Sequence, residues 1–147
     1  MTSTGQAAHD LEVVGCSLFV LPESTDARGS LAVASLGTVL TEVPRRVFMI
    51  YEVPADAQRG GHANRSVTEV IMAVSGSVEI LIDNGVDQRS VTLDHPSIAL
   101  RIPPMVWAVQ RAFQPGTALV VVASGEYDRD EYITDYATFQ KIVNADA

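Results

Sequence analysis

The stretch from Arg59 to Gly85, RGGHANRSVTEVIMAVSGSVEILIDNG, decides the fold. It opens with His62 and Asn64 two residues apart, then Glu69, then a Ser75-Gly76 turn, and it ends at Asn84-Gly85. Between the turns, Val78, Ile80 and Ile82 alternate with Ser77, Glu79 and Leu81. That period of two belongs to a half-buried strand, and the two Gly-containing turns are hairpin chemistry. The layout is that of an active-site hairpin in a small β-barrel. His62 and Asn64 lie on one extended segment, so both side chains point to the same face.

Working outward, the same pattern repeats. Short apolar runs are predicted as strands over 11–20, 29–35, 46–51, 61–63, 67–74, 77–82, 89–93, 97–102, 107–112 and 118–123. Val, Ile and Leu dominate them. His95-Pro96, Pro103-Pro104 and Pro115-Gly116 supply further turns. Regular short strands with such turns predict a closed barrel or sandwich, because closure removes exposed edges. Only the C-terminal end reads as helical, over about 128–143. There Asp128 is a candidate cap, and Tyr132, Tyr136, Phe139 and Val143 recur as a packing stripe. The expected architecture is all-β: a small closed barrel or sandwich with a short C-terminal helix.

Composition bounds the function. A chain of 147 residues, 47% hydrophobic and 19% charged, has the size of one domain and enough apolar residues for a full core. The expectation is a single domain over 1–147. No apolar run reaches the roughly 18 residues of a membrane span, and the first ten residues lack a secretory pattern. Cys16 is the only cysteine, which fits a reducing cytoplasm and no intrachain disulfide. A net charge of −8 argues against nucleic acid. Nine of ten basic residues are arginine, and Lys141 is the one lysine. Arginine suits bidentate recognition of phosphate, although genomic composition gives the same bias.

The candidate chemistry centres on His62. A metal-binding barrel of this type uses His-x-His, a nearby Glu and a later His. Here Asn64 stands at the second position and Ala108 at the later one. His62 and Glu69 alone fall short of the three or four ligands a transition metal needs. Neither metal nor cofactor is expected. A histidine in a dry barrel also serves acid–base work near neutral pH, whereas Asn can orient but not take a proton. The plainer alternative is a core histidine bonded to a neighbouring backbone group. Arg28, Arg46, Arg59 and Arg65 lie near strand ends; converging on one mouth they would form an anion site, and singly they are solvated charge.

At this point several motifs match a family in order: Arg28-Gly29-Ser30-Leu31, Arg45-Arg46-Val47-Phe48, Arg59 to Arg65, Gly76-Ser77-Val78, Ile102 to Trp107, Ala123-Ser124 with Tyr127-Asp128, and Asp130 to Tyr136. Together they resemble the cupin sugar 3,4-ketoisomerases acting on dTDP-4-keto-6-deoxyglucose, the WxcM-like or FdtA-like group, across about 28–139. The resemblance implies a jelly-roll barrel without a catalytic metal, in a homodimer whose N-terminal strands, about 10–36 here, cross to the partner. It implies movement of a keto group from C4 to C3 of a dTDP-linked sugar. The expected catalytic residues are His62 and Asn64. The expected substrate contacts are Arg28, Arg46, Phe48, Arg59, Arg65, Glu69, Trp107 and Ala108.

The chain departs from the family pattern at several positions. Asn64 replaces the second His, Phe48 an assisting Tyr, Ala108 a His after Trp107, and Thr134 an Arg. Three readings follow: a divergent ketoisomerase using His62 with Asn64 polarising the carbonyl; a non-catalytic sugar-nucleotide-binding helper; or a cupin redirected to an apolar natural-product intermediate, as an isomerase or cyclase.

Overall fold

The computed structural model describes residues 9–10 and 15–145. Its strands are β1 (His9–Asp10), β2 (Ser17–Val20), β3 (Glu23–Asp26), β4 (Gly29–Ala32), β5 (Arg46–Tyr51), β6 (Arg59–Asn64) and β7 (Glu69–Ser75). They continue as β8 (Val78–Asp83), β9 (Gln88–Leu93), β10 (Ile98–Ile102), β11 (Trp107–Arg111), β12 (Ala118–Ala123) and β13 (Tyr132–Ile133). Two short helices are α1 (Leu36–Val39) and α2 (Tyr136–Ala145). No described helix is long and apolar enough to cross a membrane.

The strands form two main sheets, ordered β1-β2-β10-β7-β12-β5 and β13-β6-β11-β8-β9, plus the separate hairpin β3-β4. Buried side chains of both main sheets share one core, with Ile71, Leu100 and Leu119 from the first and Ile80, Ile82 and Leu93 from the second. Val78, Ile80 and Ile82 are wholly buried, as their alternation predicts. Each such burial is worth about 1.5–3 kcal/mol. No ladder joins the two sheets into a continuous cylinder among the described residues. The turn into β8 depends on Gly76, whose φ is +74° and whose missing Cβ leaves room for Thr117. At the rim, the Cys16 thiol is fully buried in the same core, and burial pushes its pKa up to about 12.

The predicted strands are found with end shifts of at most three residues, except that 11–14 lie outside the described residues. Four elements were invisible to the pattern. β3 is polar, β1 and β13 are only two residues long, and α1 is a single turn, so the C-terminal end is not the only helical part. The C-terminal helix is corrected. Asp128 caps a 3-10 turn over Arg129–Glu131 by accepting from the Asp130 N–H. The helix itself starts at Tyr136, and the Asp135 carboxylate takes the free N–H of Thr138 at 2.9 Å. Tyr132 is therefore not on the helical stripe. It lies in β13, paired with Asn64 of β6.

Candidate active site

A cavity of about 440 Å³ opens at one end of the sheets, lined by residues of β5, β6, β7, β11 and the segment before and within β13. β6 enters it through Gly60 and Gly61, both with φ near +75°. A Cβ on Gly60 would stand 2.9 Å from the Ala108 carbonyl oxygen, so the strands approach this closely only with glycine there. The pairing of β6 with β11 slips at this point, from Ala108 opposite His62 to Val109 opposite Gly60. Beyond the slip the pleat is regular. His62 faces the cavity, Ala63 faces away, and Asn64 turns inward again.

His62 is half-buried. Its ring meets that of Tyr132 edge to face, with centroids 4.5 Å apart. Burial holds its pKa below the ordinary histidine value and the charge of Arg46 adds to this, while a hydrogen bond to the Gly60 backbone opposes them. The neutral form is favoured, and a neutral imidazole keeps a lone pair on one ring nitrogen.

Arg46 reaches in from β5. It donates to the Tyr132 hydroxyl at 3.2 Å, and its guanidinium lies over the Phe48 ring at 5.0 Å and the Tyr127 ring at 5.9 Å. Its Nε is buried and has no protein partner. Two more buried polar atoms lack partners, Oδ1 of Asn64 and Oε1 of Gln110. Such groups are costly unless something binds them. Glu69 starts β7 and lines the cavity. Burial raises its pKa, opposed by Arg46 and by the Asn64 amide that donates to its carboxyl.

Tyr132 is placed by one carboxylate. Glu131 accepts from the backbone N–H and hydroxyl of Ser66 and from the Val67 N–H at 2.8 Å. This fastens the β13 segment across the turn between β6 and β7.

Several expected site residues gather in this cavity: Arg46, Phe48, Arg59, His62 and Glu69. Others do not. Trp107 lies on the opposite face of its sheet, where it packs on Phe139 and Tyr136 of α2 with centroids 5.8 and 5.3 Å away. Ala108 points inward but into the apolar core, not the cavity lining. Asn64 is buried and is not a lining residue. Arg65 is exposed outside the cavity. Arg28 is at the β3-β4 hairpin, its side chain 90% exposed and paired with Asp26 at 2.6 Å.

Tyr127, Tyr132 and Gln110 line the cavity and were not singled out as site residues. The period-two rule gives a signal for Gln110, since it shares the inward face of β11 with Ala108. Among the described residues, no three His, Cys, Asp or Glu side chains come together as a metal site.

The family model described as FdtA: WxcM-like, C-terminal, matches residues 14–144. The TDP-4-oxo-6-deoxy-alpha-D-glucose-3,4-oxoisomerase of Aneurinibacillus thermoaerophilus is 30% identical over 80% of this chain and 85% of its own length. A 3,4-ketoisomerase from Helicobacter canadensis superposes with a TM-score of 0.83 at 33% identity, covering 88% of this chain and 98% of that one. A His-to-Asn mutant of the Thermoanaerobacterium thermosaccharolyticum 3,4-ketoisomerase QdtA, in complex with TDP-4-keto-6-deoxyglucose, superposes with a TM-score of 0.86. It is 26% identical and covers 90% of this chain and 96% of that one. The chain belongs to the WxcM-like family, FdtA type.

Proposed function

We propose that this protein is a sugar-nucleotide isomerase that moves the keto group of dTDP-4-keto-6-deoxyglucose, or a closely related dTDP-linked keto-sugar, from C4 to C3. The observation that carries the reading is His62, which lines the cavity against the Tyr132 ring, with burial favouring its neutral form. A neutral imidazole so held is a base for the proton on C3. Arg46 and Arg59 supply positive charge at the same cavity, suited to a diphosphate. Phe48 and Ile50 give an apolar wall for the sugar face.

The two sheets around their shared core are proposed as a jelly-roll barrel of the cupin type, one domain over 1–147. The working form is proposed as a cytoplasmic homodimer in which about 10–36 exchanges. Two features support this. The β3-β4 hairpin joins neither main sheet, and the edge strand β5 exposes Val47, Met49 and Tyr51. In such a dimer Arg28 would serve the partner's cavity.

A second reading, a helper that binds the sugar nucleotide without turning it over, is favoured by one observation. A His-to-Asn relative holds TDP-4-keto-6-deoxyglucose, and Asn64 stands where the family resemblance puts a histidine. Proton NMR of dTDP-4-keto-6-deoxyglucose with the protein in D₂O separates the two. Deuterium entering C3 together with the 3-keto isomer is the expected result. Binding with neither change would leave the helper reading, and absence of binding would point to an apolar ligand.

A further inference from the structure

A ketoisomerisation needs protons moved on oxygen as well as on carbon, and His62 alone handles only one set. Building on the ketoisomerase reading above, we infer that Glu69 is the general acid of this pocket, exchanging protons with the sugar oxygens O4 and O3 while Asn64 holds its carboxyl in position.

Glu69 is the one carboxyl among the cavity-lining residues. Its backbone is fixed in the middle of a sheet, between Ile102 of β10 and Ala123 of β12. The titratable and charged groups sharing its cavity are Arg46 from β5, Arg59 and His62 from β6, Tyr132 from β13 and Tyr127 before it. A carboxyl so enclosed costs stability unless it is used or neutralised. Burial favours its neutral form, as burial also favours neutral His62. The pair is therefore poised as base and acid, two groups pushed in opposite directions by one cavity. Asn64 cannot take the acid role, since an amide gives up no proton at accessible pH. Its amide instead donates to the Glu69 carboxyl, making it a positioning residue.

The proton count closes without a co-reactant. His62 takes the C3 proton as the C3–C4 double bond forms, and the C4 carbonyl pair collects on O4. Glu69 gives O4 its proton, leaving an enediol, a carboxylate and an imidazolium. The O3 proton then passes to the Glu69 carboxylate as the C3 carbonyl forms, and C4 takes the proton back from His62. Both side chains end as they began.

Glu69→Gln keeps the shape and removes the acid. With dTDP-4-keto-6-deoxyglucose, isomer formation and C3 exchange should both fall by about 10²–10⁴-fold, with dTDP affinity unchanged. The two-limbed pH profile of kcat/KM in the native protein should collapse to one limb. An active native protein with a fully active Glu69→Gln variant overturns the acid and leaves the ketoisomerase reading standing. A slow variant that keeps both limbs overturns it too, since that loss is structural. Should Glu69→Gln fail to fold, Glu69→Asp replaces it; a displaced limb supports the acid and an unmoved one refutes it. A native protein that binds the sugar nucleotide but neither exchanges nor isomerises it overturns the reading and the acid together.

Discussion

The two faces of the β6–β11 pair are built to opposite rules. The outer face carries Ala63, Trp107, Ile133 and Phe139, packed under α2. The inner face carries His62 and Gln110, which line the cavity together with Glu69 of β7, with polar atoms that no protein group satisfies. Neighbours in sequence are divided between them: Ala63 between His62 and Asn64, and Trp107 beside Ala108. One face holds the sheet in place, and the other leaves bonding capacity open for a ligand. Stability and chemistry therefore sit one residue apart and should separate on mutation.

The sharpest break of this contrast is on the inner face. His62→Ala should lower the isomerisation rate by about 10²–10⁴-fold, with the melting temperature nearly unchanged; a rate-assay and calorimetry pair reads both. On the outer face, Phe139→Ala removes a wholly buried ring and should lower unfolding free energy by about 3–5 kcal/mol. The folded fraction should keep its turnover number, so a proportional loss of kcat would show that the faces are coupled.

A smaller effect follows from Glu69. Its folded pKa lies above the ordinary value of 4.5, so the native state binds more protons than the unfolded chain once pH exceeds that value. This contribution to stability is largest below pH 4.5 and declines as pH rises toward the folded pKa. Glu69→Gln removes the decline. Its melting temperature should exceed that of the native protein near neutral pH, and the gain should shrink on acidification. A gain independent of pH would refute the linkage.

Arg28→Ala should produce the smallest change. Its pair with Asp26 is exposed to water, so melting should not move measurably. A drop in kcat/KM without a change in melting would sharpen the dimer proposal, because Arg28 lies outside its own chain's cavity.

The main-sheet strands were legible because period-two burial leaves a direct trace, as at Val78, Ile80 and Ile82. Tyr132 was not, since its spacing to Tyr136 and Phe139 imitates a helix. The break at Ile133 and the cap at Asp135 appear only once β13 pairs with β6. His62, Glu69 and the β5 arginine were legible from residue type and place. The placement of Trp107 under the C-terminal helix was not legible, because a motif gives order along the chain but not the face of a strand. Asn64 was placed on the right face. Its partner, Glu69, comes from the next strand, a contact that sequence spacing does not reveal.

The sole cysteine turns the fold into its own clock. A thiol enclosed at Cys16 with a pKa of about 12 carries almost no thiolate at neutral pH. Electrophilic reagents can modify it only after the chain around β2 has opened. The rate of labelling would then count opening events at that sheet margin, without any engineered probe. Slower labelling in the presence of dTDP would measure how far an occupied cavity restrains a strand two places from β7 in the same sheet.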